Sequence, residues 1–245
     1  MEPAINNKPL KQWTDEERVT AVKRIFNAIS PRYDLLNRIM SGRQDIRWRR
    51  FAVSRLPGHA KTALDVATGT GDLAIDIATV GEIEVFGVDF VEQMMRFAVE
   101  KTETRKLSGR ITYAAADALH LPFPDNTFDA ATMAFGIRNM PDRLSALKEM
   151  ARVVKSGGKV IVLEMTFPRN LRLRRFFTWY LNNVIPVLGG IISGNRSAYR
   201  YLPDSIQDFL HPDDLAALFQ KAGLHSISEF PLTFGLTYLH EGYVS

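Results

Sequence analysis

The chain of 245 residues contains no cysteine. That excludes a disulfide framework and any thiolate metal site, and it is compatible with a reducing cytoplasm. The five histidines (His59, His120, His211, His225, His240) have no metal-ligand spacing; His211, just before a helix start, reads as structural or capping. The polar stretch Met1–Lys11 has no apolar segment of the kind a secretory leader needs. Charge of one sign is not in large excess: 31 basic against 27 acidic residues give +4, a weak pull toward anionic surfaces. The pI of about 9.3 raises nucleic acid as a partner. However, no Asn-Pro-Pro-Tyr-type base-flipping motif and no separate recognition domain are present, so no nucleic-acid partner is expected. Internal repeats and low-complexity tracts are lacking too.

What is present suits one α/β domain over 1–245. Residues 1–12 read as a loose tail. Val19, Val22, Ile25, Phe26 and Ile29 recur at helical spacing and predict a helix over 14–30, with Pro31 just beyond. Helices over 34–41 and 44–55 follow, so 1–55 reads as an N-terminal helical lid. The charge run Arg43, Arg47, Arg49, Arg50 reads as a solvated face. From Thr62 the period changes. Strands are predicted over 63–67, 84–88, 111–115, 128–134 and 159–165, with helices over 72–79, 91–106 and 142–154. Such alternation implies parallel strands with right-handed crossovers. An irregular insertion over 168–210 comes next, then a helix over 212–222 and two last strands over 225–232 and 235–244.

The segment Leu64-Asp65-Val66-Ala67-Thr68-Gly69-Thr70-Gly71-Asp72 follows a strand and opens a helix. Gly69 and Gly71 allow a sharp turn and close approach of backbone to a ligand. Asp89 ends the next strand, where a carboxylate can accept from two ribose hydroxyls. No Gly-Lys-Ser/Thr follows, so the turn is not a Walker A loop. Ala74 stands at the last position of the dinucleotide pattern, an allowed variant there. Asp117-Ala118 follows the third strand, where an acidic residue can hold an adenine amino group.

These features in this order, with Leu121-Pro122-Phe123-Pro124-Asp125-Asn126-Thr127-Phe128-Asp129 after them, resemble the class I methyltransferases. Other segments resemble the ubiquinone/menaquinone C-methyltransferase family. They are Arg32-Tyr33-Asp34-Leu35-Leu36-Asn37-Arg38-Ile39-Met40-Ser41 with Trp48, Phe135-Gly136-Ile137-Arg138-Asn139, Arg152 to Gly158 through Glu164, and Tyr199-Arg200-Tyr201-Leu202. The resemblance covers roughly residues 20–245. Two positions depart from it. Asp45 stands where the signature often has His three residues before its Trp, and no acid–base role is assigned there. Ala134 stands where some members have a cofactor-contacting Ser, which leaves a backbone contact.

The resemblance implies a Rossmann-like fold: a seven-stranded, mostly parallel sheet with helices on both faces. It implies S-adenosylmethionine as cofactor, contacted by Thr70, Asp89, Asp117, Ala118 and Ala134, with backbone access at Gly69 and Gly71. It also implies methyl transfer to a ring carbon of a polyprenylated hydroquinone, either demethylmenaquinol or a methoxy-polyprenyl benzoquinol. A ring carbon is a poor nucleophile until a ring hydroxyl loses its proton, so positioning and a nearby cation matter most. Arg138 and Asn139 follow the fourth strand, at the carboxyl edge where ligands of α/β folds bind. Arg138 is expected to stabilise the phenolate charge or polarise a water, and Tyr33 to complete the hydrogen-bond network. On residue type alone, Arg138 could equally cap a strand end and Tyr33 could be a core aromatic. Glu164 reads either as a pocket residue or as structural.

Residues 176–193 carry no charge and follow Arg169, Arg172, Arg174 and Arg175. Asn182, Asn183, Pro186, Gly189 and Gly190 argue against a spanning helix. Two readings stay open: an amphipathic lid in transient contact with a membrane surface, or a buried helix pair. A homo-oligomer is also compatible. The alternative functions are a methyltransferase for another lipid-like substrate (a sterol or phospholipid headgroup) and a non-catalytic nucleotide-binding protein; retention of Asp89 and Arg138-Asn139 argues against the latter.

Overall fold

The computed structural model describes residues 10–193 and 198–245. Residues 1–9 of the expected tail and 194–197 of the insertion lie outside the described residues, as do the side chains of Tyr199 and Arg200. Seven strands form one sheet: β1 (Thr62–Val66), β2 (Glu84–Asp89), β3 (Ile111–Ala115), β4 (Phe128–Ala134), β5 (Val154–Met165), β6 (Leu224–Leu232) and β7 (Thr237–Val244). Their order is β3-β2-β1-β4-β5-β7-β6, with β7 antiparallel to both neighbours and the rest parallel. This is the largely parallel α/β sheet that the alternation predicts, in the seven-stranded Rossmann-like form that the resemblance implies. β5 begins at Val154 rather than 159.

β1 lies between β2 and β4, and its residues from Ala63 to Val66 are all buried. That explains why it reads as a continuous apolar run with one acid inside it. Because the chain passes to β2 on one side and later to β4 on the other, a crevice opens at the carboxyl ends of β1 and β4. One face of the sheet packs Phe128, Met133, Leu147, Met150, Leu215 and Phe219; the other packs Leu73, Ile77, Val85 and Ile111.

Three helices precede the sheet: α1 (Asp15–Ile29), α2 (Tyr33–Met40) and α3 (Gln44–Ser54). Thr14 starts α1 through a capping box with Glu17, a device worth about 1 kcal/mol. The tail is not loose up to residue 12: Leu10 and Trp13 are buried, and the Trp13 ring stacks on Tyr201 at 6.2 Å. Between strands lie α4 (Asp72–Thr79), α5 (Glu92–Thr104) and α6 (Arg143–Val153).

The insertion is helical rather than irregular. It contains α7 (Leu171–Trp179), a π turn over Tyr180–Val184, α8 (Ile185–Ser193) and α9 (Ala198–Gln207), followed by α10 (Pro212–Lys221). Its prolines and glycines read as breakers, but the π turn just before Pro186, where the Ile185 N–H bonds Tyr180 O, lets the helix run on through the proline. Asn170 caps α7, its side chain accepting from the amides of Arg172 and Leu173. α1 and α2 share an apolar cluster with this insertion, built on Val22, Ile25, Leu36, Leu181, Ile185 and Ile206. Among the described residues no helix is long and apolar enough to cross a membrane.

Candidate active site

Two chambers lie over the carboxyl ends of the strands. The first, of about 260 Å³, is floored by Val66, Ala67, Gly69, Asp89 and Ala134, and roofed by Val19, Val22 and Phe26 of α1. Asp117 and Ala118 border its far end. The second, of about 350 Å³, lies under α2 and α7 and is walled by Trp48, Met165, Phe177, Tyr180, Leu181 and Ile185, with Arg138, Asn37, Asp45 and Arg49 among the polar residues that border it. Tyr33 and Phe135 border both. A small polar recess beside them is lined by Asp65, Thr68, Thr70 and Asp72, and shares Tyr33, Gly69, Ala134 and Phe135 with the first chamber.

Asp89 anchors the floor of the first chamber. One carboxylate oxygen accepts from the Gly69 amide and the other from the Val91 amide, both at 2.8 Å. Each oxygen keeps a lone pair, so a diol can be bound from the cavity side. Burial raises the Asp89 pKa, opposed by these amides. Gly69 takes φ +56°, a conformation that lets the amide turn onto Asp89. Asp117 is tied to the Leu119 amide at 2.9 Å and sits beside His120. Apolar walls with a carboxylate at either end fit an adenosine, and the polar recess fits an amino-acid end.

At the junction Arg138 is buried and paired with Glu164, which is wholly buried. Its Nη1 also donates to the Phe135 carbonyl at 2.9 Å. Its Nε is buried with no partner among the described residues. Burial opposes the Arg138 charge, but Glu164 more than offsets it and the pKa is raised. Glu164 is therefore the structural partner of Arg138, also accepting from the Met165 amide. Tyr33 has its phenol raised by burial, against the lowering effects of Asn37 and Arg138; it stays a neutral donor. Asn139 gives its amide N–H to Phe135 O at 3.4 Å and accepts the Tyr201 hydroxyl at 2.9 Å.

The sequence profile of the ubiE/COQ5 methyltransferase family matches residues 11–244. The chain belongs to the ubiE/COQ5 methyltransferase family. It is 46% identical over 220 residues to a demethylmenaquinone methyltransferase of Thermus thermophilus, covering 89% of this chain and 99% of that one. It is 41% identical over 229 residues to a ubiquinone/menaquinone biosynthesis C-methyltransferase UbiE of Geobacter sp. (strain M21), covering 92% and 97%. A solved SAM-dependent methyltransferase of Thermotoga maritima, a possible histamine N-methyltransferase, superposes with TM-score 0.62 at 20% identity over 91% of this chain and 99% of that one, a likeness of fold. As a family member the chain is a methyltransferase whose cofactor is S-adenosylmethionine, and the first chamber with its recess has the donors and walls that this group needs.

Two of the cofactor positions expected from the family lie off the main chamber. Gly71 borders none of the three cavities described. A Cβ there would come within 2.5 Å of the Tyr113 hydroxyl and 2.8 Å of Ala98 Cβ, so packing against β3 and α5 requires a glycine here. Thr70 faces the recess, and its hydroxyl donates to Asp34 at 2.6 Å.

The sequence also hid an ionic lattice that ties the lid to the sheet domain. Lys101 bridges Asp34 and Asp72, each at 2.7 Å, and Arg38 binds Asp72 and Asp45. Arg49 binds Asp45 at 3.0 Å, Asp72 at 3.2 Å and Asp76 at 2.9 Å. Arg49 is buried, which corrects its expected place on a solvated face; Arg43, Arg47 and Arg50 are exposed. Helical spacing of opposite charges at 45 and 49 was a usable signal, while the partners on α4 and α5 were not readable. These cations hold the Asp72 carboxyl far below its usual range, against the cost of its burial.

Proposed function

We propose that this chain transfers the methyl group of S-adenosylmethionine to a ring carbon of a prenylated hydroquinone, demethylmenaquinol or a methoxy-polyprenyl benzoquinol. The observation that carries this reading is the pairing of chambers: a nucleoside-shaped one beside an apolar one, with a common wall at Tyr33 and Phe135. In the first chamber Asp89 takes the ribose diol, Asp117 and Ala118 flank the adenine, and Gly69 and Ala134 offer backbone. Thr70 meets the amino-acid end in the recess. The cofactor supplies an electrophilic methyl when bound.

The chain's own contribution is to hold the ring and its developing charge. Arg138 stays cationic, and its free Nε–H is a donor for a quinol oxygen as that oxygen becomes anionic. Tyr33 and Asn139 add neutral hydrogen bonds. The burial of Arg138 and the apolar walls keep water away, which strengthens each of these contacts. The prenyl tail lies along Leu181, Ile185 and Ile206.

α7 supports transient contact with a membrane surface. It has no buried residue, it exposes Leu171, Phe176 and Trp179, and Phe176 borders the acceptor chamber. Arg172, Arg174 and Arg175 stand on the same helix, whereas Arg169 is engaged by Asp213 at 2.5 Å. Basic and aromatic side chains together suit an anionic lipid surface. Turnover of short-chain prenylated naphthoquinol and benzoquinol under reducing conditions, with products weighed by mass spectrometry, tests the reaction; no methylated product from either overturns it. No binding to anionic vesicles overturns the surface contact, and binding that persists in high salt, or survives replacement of the three arginines by Gln, overturns the part given to the arginines.

A further inference from the structure

Phe135 follows β4 in a conformation that bulky side chains rarely adopt, with φ +58°. Three hydrogen bonds hold it there. Its amide donates to Leu163 O at 2.8 Å, and its carbonyl accepts from Arg138 Nη1 at 2.9 Å and Asn139 Nδ2 at 3.4 Å. Strain secured this heavily marks a site where a side chain must point one way. The residue is half-buried and borders the first chamber, the recess and the acceptor chamber alike. Its ring packs against Trp48, with centroids 6.2 Å apart. Trp48 is itself fixed, its indole N–H donating to Thr233 Oγ1 at 2.8 Å.

We infer that Phe135 is the platform on which the planar ring of the acceptor lies, and that Arg138 and Asn139 act partly through it as positioning residues. This rests on the quinol reading above and sharpens it. An aromatic face offers offset stacking to a planar dihydroxy-aromatic ring and nothing comparable to a saturated one. The platform therefore selects aromatic acceptors and fixes which ring edge faces the first chamber. It also explains why two donors of the junction, Arg138 Nη1 and Asn139 Nδ2, end on a backbone carbonyl: they keep the ring aimed.

The test uses Phe135→Gly, Phe135→Leu and Phe135→Tyr. Glycine adopts φ near +58° without steric cost, so Phe135→Gly removes the ring while keeping the turn. Binding of a short-chain prenylated naphthoquinone is read by quenching of tryptophan emission, cofactor affinity by calorimetry, and KM and kcat with the corresponding quinol. Phe135→Gly should weaken quinone binding and raise KM by about tenfold or more, with cofactor affinity within about twofold of wild type. Phe135→Tyr should stay within about threefold in KM. If Phe135→Gly does not fold, Phe135→Leu, which keeps apolar volume but no planar face, should show the same loss in smaller measure. Unchanged quinone binding in the folded variant, or equal losses for quinone and cofactor, overturns the platform. A wild-type chain that binds no quinone overturns the substrate reading and the platform with it.

Discussion

The floor of the site and its roof are built by different means. Below, strand ends fix everything: the Gly69 and Val91 amides hold Asp89, and β1, β2 and β4 set their spacing. Above, α1, α2 and the insertion meet chiefly through an apolar cluster of side chains, and ion pairs fasten α2 to α4 and α5. A floor of backbone amides is rigid and tolerates little change. A roof of side chains adapts to a bulky, greasy ligand and is held by many small terms. Rigid positioning of the cofactor and adaptable enclosure of the acceptor are what methyl transfer to a large apolar molecule requires.

The largest expected effect breaks the junction between the two. Arg138→Ala leaves the Glu164 carboxylate buried without its partner and should cost about 3–5 kcal/mol of stability. The double variant Arg138→Met with Glu164→Gln should recover most of that stability in denaturant unfolding, yet still lose ~10²–10³-fold in kcat. Recovery of kcat along with stability would make Arg138 a scaffold residue. Next comes the floor. Asp89 offers a diol two charge-assisted hydrogen bonds of ~1.5–3 kcal/mol each. Asp89→Ala should therefore weaken cofactor binding by at least about tenfold in calorimetry while quinone binding stays within a few-fold. A loss shared equally by both ligands would erase the distinction between floor and roof.

How legible each part was follows from the same contrast. The floor is written in contiguous segments: the turn from Asp65 to Asp72 and the strand-end Asp89 give themselves away by spacing. The inner parallel strands β1, β4 and the later part of β5 declared their type because both faces are buried and few residues interrupt them, whereas β3 at the edge is largely exposed. The roof is written across distance. Nothing near Asp34 announces Lys101, 67 residues on, and Arg49 reads as a surface charge until Asp76 is set beside it. Thr70 and Gly71 stand in the motif, but only packing against Asp34 and Tyr113 reveals which way they face. The insertion reads as irregular because Pro186, Gly189, Gly190 and Pro203 mimic breaks, yet the chain stays helical through all four, with a π turn just before Pro186 and Pro203 inside α9.

A smaller effect probes the floor through pH. Asp65, buried between the hydroxyls of Thr68 and Thr132, has its carboxyl pushed up to about 7, burial outweighing those hydrogen bonds. Below the unfolded value near 4 both states hold the proton. Between about 4 and 7 the unfolded chain releases it and the folded one does not, so stability falls as pH rises through that window and levels above it. Asp65→Asn keeps an acceptor and removes the titration. Its stability relative to wild type should rise from pH 4 to pH 8 by a few kcal/mol at most; a parallel pair of curves in thermal unfolding would reject this. The smallest effect belongs to the roof. Asp34→Asn loses the ion pair with Lys101, both groups partly exposed, and should cost under about 1 kcal/mol. It should nevertheless speed cofactor dissociation a few-fold in stopped-flow, with a weaker dependence on salt. An unchanged off-rate would mean that the lattice does not hold the roof down.

The apolar cluster shared by α1, α2 and the insertion has a thermodynamic consequence. α1 covers one chamber with Val22 and Phe26, while Leu181 and Ile185, in the same cluster as Val22, wall the other. Neither chamber can loosen its cover without disturbing packing that the other uses. A tail pressed against Leu181 and Ile185 would stiffen packing that also holds α1 in place. Whatever affinity one occupant lends the other through that packing, linkage requires to be returned in equal measure.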